Sequence, residues 1–140
     1  MDDQSTMPRT IILIAEDEGA LSGVLQSKLA RHGFSVETAI DGIDALEKMR
    51  RLRPQLVLLD LIMPNKNGFQ VLEEAKADPA IKDIPVVVFS NLNQEEDHAR
   101  AKKMGALDFL VKSDLGINEV VGKVNGFLGR TEALPATQAP

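Results

Sequence analysis

The sequence predicts an α/β domain, a doubly wound five-stranded parallel sheet in the order 2-1-3-4-5 flanked by five helices. From Thr10 onward, short apolar runs alternate with longer amphipathic stretches, which is the signature of repeated βα units. The first, third and fourth runs are continuously apolar, as strands covered on both faces must be. Phe34–Thr38 alternates instead, and Leu107–Val111 carries one charge, so these two suit the edges.

Strand one, Ile11–Ala15, runs into Glu16 and Asp17. Leu21, Val24, Leu25 and Leu29 then mark one face of a helix that His32 and Gly33 end. Strand two is Phe34–Thr38, and Ala45, Leu46 and Met49 mark a second helix stopped before Pro54. Strand three, Leu56–Leu59, meets Asp60. Helix three begins near Gly68, turns Phe69, Leu72 and Ala75 inward and ends at Asp78-Pro79. Strand four, Val86–Phe89, meets Ser90. Helix four, Asn93–Met104, ends at Gly105 and offers few large apolar anchors, so weak packing and greater mobility are expected of it. Strand five, Leu107–Val111, meets Lys112, and Ile117, Val120, Val121, Val124, Phe127 and Leu128 repeat at helical spacing as helix five. The domain is expected over residues 10–129, between disordered ends at 1–9 and 130–140.

A chain of 140 residues with 44% apolar content suits one domain with a real core. A net charge of −5 without a long basic block argues against direct nucleic-acid binding through phosphates. No stretch approaches the roughly 20 apolar residues of a membrane span. The absence of cysteine rules out disulfides, thiol catalysis and thiolate metal sites, and a cytoplasmic protein is the expectation.

In a parallel sheet the four polar strand ends converge, bringing Glu16, Asp17, Asp60, Ser90 and Lys112 to one crevice at the point where the winding reverses. Each taken singly has an ordinary explanation as a cap, a turn residue or a solvated charge; falling together at consecutive strand ends, they favour a site. Three carboxylates there raise one another's pKa or require a cation, and an all-oxygen donor set suits Mg²⁺, with Mn²⁺ possible. A metal beside Asp60 would make its carboxylate usable as a nucleophile toward a phosphoryl group, while Lys112 and Ser90 could neutralise and hydrogen-bond the phosphoryl oxygens. His32, at a helix end, and His98, on a polar helix, are not expected to be ligands.

The segments Ala15-Glu16-Asp17-Glu18, Leu59-Asp60-Leu61-Ile62-Met63-Pro64 with Gly68, Phe89-Ser90-Asn91, and Gly105-Ala106 followed by Phe109-Leu110-Val111-Lys112 resemble the receiver domain of bacterial two-component response regulators. The likeness runs from about Thr10 to Leu128 and implies the flavodoxin-like response-regulator fold. It implies Asp60 as phosphoacceptor, with Mg²⁺ held by Glu16, Asp17, Asp60 and the backbone carbonyl of Ile62, and with Ser90 and Lys112 contacting the phosphoryl group. It also implies Ser90 and Phe109 as switch residues that rearrange the face built by helix four, strand five and helix five. The implied phosphodonor is a histidine kinase or a histidine phosphotransfer protein. A stand-alone, chemotaxis-regulator-like receiver is expected, monomeric or weakly dimeric, acting through a separate downstream effector and assisting its own phosphorylation and dephosphorylation rather than turning over a substrate.

This chain departs from the family pattern at several positions. Glu16 stands where Asp is commoner, and Phe109 lacks the hydroxyl of the common Tyr. Asn91 replaces a small residue and is expected to screen the phosphoryl group, so that Asn91→Ala speeds phosphotransfer or autodephosphorylation. Ser113 replaces a proline joined through a cis bond; since cis costs about 2.5–4 kcal/mol before other residues, Lys112–Ser113 is expected to be trans. Ser113 or Asp114 would then be free to cap helix five. Three competitors remain. An aspartate-nucleophile phosphatase of the haloacid-dehalogenase type would need an acid where Ile62 stands. A flavodoxin-like cofactor module would need a first loop that welcomes phosphate, unlike Glu16-Asp17-Glu18-Gly19. An unphosphorylated receiver-like scaffold would have no use for the acids, hydroxyl and lysine found here.

Overall fold

Each continuously apolar run folds as a strand whose alternate residues enter two different cores. The computed structural model describes residues 10–17, 19–92 and 94–129, and for residues 19–22 the backbone alone. The expected disorder of 1–9 and 130–140, the inward place of Leu21 and the helical start at Asn93 lie outside the described residues. The element order is β1 (Ile11–Ala15), α1 (Gly19–Arg31), β2 (Ser35–Ala39), α2 (Gly42–Leu52), β3 (Leu56–Leu59), α3 (Gly68–Ala77), β4 (Val86–Ser90), α4 (Glu95–Lys103), β5 (Asp108–Val111), a 3-10 turn (Lys112–Asp114) and α5 (Ile117–Phe127).

The five strands form one parallel sheet in the order β2-β1-β3-β4-β5, as the sequence predicts. Leu13, Ala15, Val57, Leu59, Val86 and Val88 pack against α2, α3 and Ala101 of α4. Their neighbours Ile12, Ile14, Leu56, Leu58, Val87 and Phe89 pack against Leu25 and Leu29 of α1 and Val120, Val121 and Val124 of α5. The period of two in side-chain direction thus explains why the central runs are apolar throughout.

Some expectations need correction. Val24 is 56% exposed, whereas Leu25 and Leu29 are fully buried. The apolar stripe of α1 is narrower than the sequence suggests, and Val24 lies about 100° around the helix from Leu25. Phe34 precedes β2 rather than starting it and is buried as a plug. Neither Ser113 nor Asp114 caps α5. Both belong to the 3-10 turn, Leu115 and Gly116 intervene, and Gly116 is the N-cap, its N–H donating to Glu119 Oε1 at 2.8 Å. The Lys112–Ser113 peptide is trans.

Candidate functional site

The sheet continues by one backbone bond past the ends of its central strands, and that extra bond places the acids. Glu16 N–H donates to Ala39 O at 3.0 Å, and Asp60 N–H donates to Ala15 O at 2.9 Å. Glu16 and Asp60 are therefore fixed side by side at the β1/β3 reversal, where doubly wound sheets open their crevice. The turn after Asp60 is equally constrained. Ile62 N–H donates to Asp60 Oδ1 at 3.2 Å, and Gly68 N–H donates to Leu61 O at 2.9 Å. A Cβ on Gly68 would lie 2.4 Å from Asp60 O, so α3 can press against this turn only because residue 68 is glycine.

Lys112 reaches the acids from β5. Its Nζ lies 2.9 Å from Asp60 Oδ2 and 3.3 Å from Glu16 Oε1, with all three side chains buried. An ammonium between two buried carboxylates offsets one of their two negative charges, which lowers the penalty of burying them. Asp17, exposed, joins Asp60, Ile62, Asn91 and Lys112 in lining a narrow cleft of about 120 Å³. Ser90, fully buried, ends β4 opposite Val111, and its Oγ accepts the Leu92 N–H at 3.2 Å. Of the sequence-predicted site residues, Glu16, Asp60 and Lys112 are in direct contact, Asp17 and Ile62 line the cleft beside Asp60 and Lys112, and Ser90 stands at the adjacent strand end with its hydroxyl engaged in a local turn.

Phe109 lies away from the cleft, half-buried on β5, its ring stacked on His98 of α4 with centroids 3.8 Å apart and planes at 14°. Arg100 of α4 lies over the Phe69 ring at 4.0 Å. Neither contact is signalled by helical periodicity. Asn91 and Ser113 each stand out in the sequence, but nothing there pairs them; in the structure Ser113 N–H donates to Asn91 Oδ1 at 2.8 Å. A last clasp joins the loops after β2 and β3. Asp41 Oδ1 accepts the Asp44 N–H at 2.7 Å and Asp41 Oδ2 accepts from Asn65 Nδ2 at 2.7 Å. The Asp44 N–H, and after it the Asn65 amide, hold the Asp41 carboxyl below its ordinary pKa.

The carboxylates of Asp17 and Asp60 line the cleft, and carboxylate oxygen is the donor a hard divalent cation prefers. Among the described residues, no three acidic or histidine side chains stand close enough to hold a metal as they are; Lys112 bridges Glu16 and Asp60, and Asp17 is exposed. The donor types fit such an ion; their present arrangement favours the ammonium.

Fold and cleft together define the receiver class of two-component signalling proteins. The chain belongs to the response regulator receiver domain family, which matches residues 12–125. It is 35% identical over 129 residues to the DNA-binding dual master transcriptional regulator RpaA of Synechocystis sp., a match covering 92% of this chain and 52% of that protein. The chain thus corresponds to about half the length of that relative. Protein PilH of Pseudomonas aeruginosa is 36% identical over 101 residues, covering 72% of this chain and 84% of PilH. The crystal structure of response regulator Rcp1 in its Mn²⁺-bound form superposes with a TM-score of 0.77 at 30% identity, over 89% of this chain and 96% of that one. Among the described residues, no helix is long and apolar enough to cross a membrane.

Proposed function

We propose that this chain is a phosphorylation switch in which Asp60 accepts a phosphoryl group from a histidine kinase or a histidine phosphotransfer protein. The observation that carries this reading is the buried Asp60 carboxylate at a narrow cleft, 2.9 Å from the Lys112 ammonium. In the transfer an Asp60 carboxylate oxygen forms a bond to phosphorus as the bond from phosphorus to the donor's imidazole nitrogen breaks, and the imidazole keeps the electron pair. Lys112 would release part of its hold on Asp60 and neutralise a phosphoryl oxygen. Ser90 would exchange its bond from Leu92 N–H for one to the phosphoryl group. Glu16, Asp17, Asp60 and the Ile62 carbonyl would hold Mg²⁺, or Mn²⁺. Such an ion, when bound, lowers the repulsion between carboxylate and phosphoryl charges.

Output is proposed to follow from Ser90 and Phe109. Movement of Ser90 opens room beneath β5, Phe109 leaves His98, and the α4–β5–α5 face changes shape for a separate effector. The protein would act in the cytoplasm and catalyse no turnover beyond its own phosphorylation and dephosphorylation.

The test is intact mass after incubation with Mg²⁺ and acetyl phosphate, with and without chelator. A metal-dependent, hydroxylamine-labile adduct on the wild type and none on Asp60→Asn is expected. An adduct retained by Asp60→Asn, or none on a wild type shown separately to bind Mg²⁺ and to meet a competent kinase, would overturn the reading and favour a binding scaffold.

A further inference from the structure

We propose that Asn91 is a positioning residue that sets the Lys112 ammonium through the backbone of Ser113. The β4–β5 ladder ends at the pair Ser90↔Val111. One residue further along each strand the chain must hold Lys112 over the crevice without a ladder pair, and there Ser113 N–H donates to Asn91 Oδ1 at 2.8 Å. The side chain extends the sheet's connection past its last backbone pair. It ties the loop that follows Ser90 to the turn that begins with Lys112. The Leu115 N–H to Lys112 O bond inside that turn is long, at 3.4 Å, so the turn closes only loosely on itself.

The placement of Lys112 depends on this turn. Its side chain is 5% exposed and spans from β5 to Asp60 across β4, so a small rotation at residue 112 or 113 displaces the ammonium from both carboxylates. The bond also explains why residues 91 and 113 belong together. A proline at 113 would have no N–H to donate, and a small aliphatic residue at 91 would have no acceptor. Asn91 is exposed and also lines the cleft, yet its carbonyl oxygen is committed to the turn. Loss of the side chain therefore loosens Lys112, which opposes the simple expectation that removing a bulky screen speeds transfer.

The inference rests on the phosphoacceptor reading only for its consequence in catalysis, and the first readout is independent of it. With lysine labelled by ¹⁵N and ¹³C, the Lys112 ammonium is followed by NMR in metal-free, unphosphorylated protein. Asn91→Ala and Ser113→Pro should each raise ammonium hydrogen exchange by about threefold to tenfold, the scale of one net hydrogen bond. The double variant should go no further than either single one. In acetyl phosphate reactions with Mg²⁺, both single variants should slow adduct formation to a similar degree. An unchanged Lys112 signal in Asn91→Ala would overturn the proposal, as would independent effects that add in the double variant. Should Ser113→Pro not fold, Ser113→Ala, which keeps the N–H, serves as the contrast: its Lys112 signal should match the wild type, and a shift equal to that of Asn91→Ala would also overturn the proposal. Wild type that forms no adduct while the NMR effects hold would count against the phosphorylation reading alone.

Discussion

α3 and α4 lie on the same face of the sheet, but they are anchored in different ways. α3 buries Gly68, Phe69, Val71, Leu72 and Ala75, and its start is sealed by a reciprocal capping box, Gln70 N–H to Asn67 Oδ1 and Asn67 N–H to Gln70 Oε1, both 2.9 Å. α4 buries Ala101 alone among its residues, and its start carries the Gln94 N–H to Asp97 Oδ2 half of such a box, at 3.2 Å. Ring contacts at its surface add to this, His98 on Phe109 and Arg100 over Phe69. The difference divides the site. The proposed acceptor carboxylate of Asp60 sits on a turn clamped by a deeply packed helix, while Ser90 and Phe109 border a helix that buries one small residue. The proposed switch, which holds its chemistry still while its output face moves, gains from that division.

The two helices differ most at their cores. Leu72→Ala removes a fully buried side chain and should cost about 2–5 kcal/mol, whereas Ala101→Gly should cost nearer 1 kcal/mol. Urea unfolding of both variants measures the gap; equal losses would mean α4 is anchored as firmly as α3. The caps give the next contrast. Asn67→Ala should cost about 1 kcal/mol, and Gln94→Ala, whose side chain makes no cap bond, should stay within about 0.5 kcal/mol of wild type. The ring contacts sharpen the picture on a smaller scale. Arg100→Ala should lose about 0.5–1 kcal/mol through Phe69, and Arg100→Lys should recover part of it, because a cation over the ring survives in weaker geometry.

How much of this the sequence carries depends on the range over which a signal acts. A strand flanked by polar chemistry is a local pattern, so the runs ending on Glu16, Asp60, Ser90 and Lys112 are readable, and with them the crevice. Burial on two faces leaves a continuous apolar run, which ordered β1, β3 and β4 at the centre. Val24 falls outside the buried stripe because an apolar pattern along α1 does not reveal the stripe's width. The cap at α5 differs because Ser113 and Asp114 fold into a 3-10 turn and the helix starts only after Gly116, an insertion that no periodicity announces. His98 illustrates the same limit. On a polar helix it reads as solvated, and only the packing of α4 against β5 brings it to Phe109.

The smallest expected effect concerns the rigid half of the site and acid. The clasp of Asp41 on Asp44 N–H and Asn65 joins the loop before α2 to the turn that carries Ile62, and Asp41 is the member that titrates. Its folded-state pKa lies below the ordinary value, so as pH falls the unfolded chain takes up this proton first. The stabilisation is therefore complete above the unfolded pKa and is lost as pH drops through the folded one. Asp41→Asn keeps an acceptor for the Asp44 N–H but cannot lose it to protonation. Its stability should fall less steeply than that of wild type on the acid side of the carboxylate range and run parallel to it at neutral pH. Urea midpoints measured across that range check the slope. Parallel curves throughout would mean that the clasp is screened by solvent, and that the turn after Asp60 owes its rigidity to Gly68 and α3 alone.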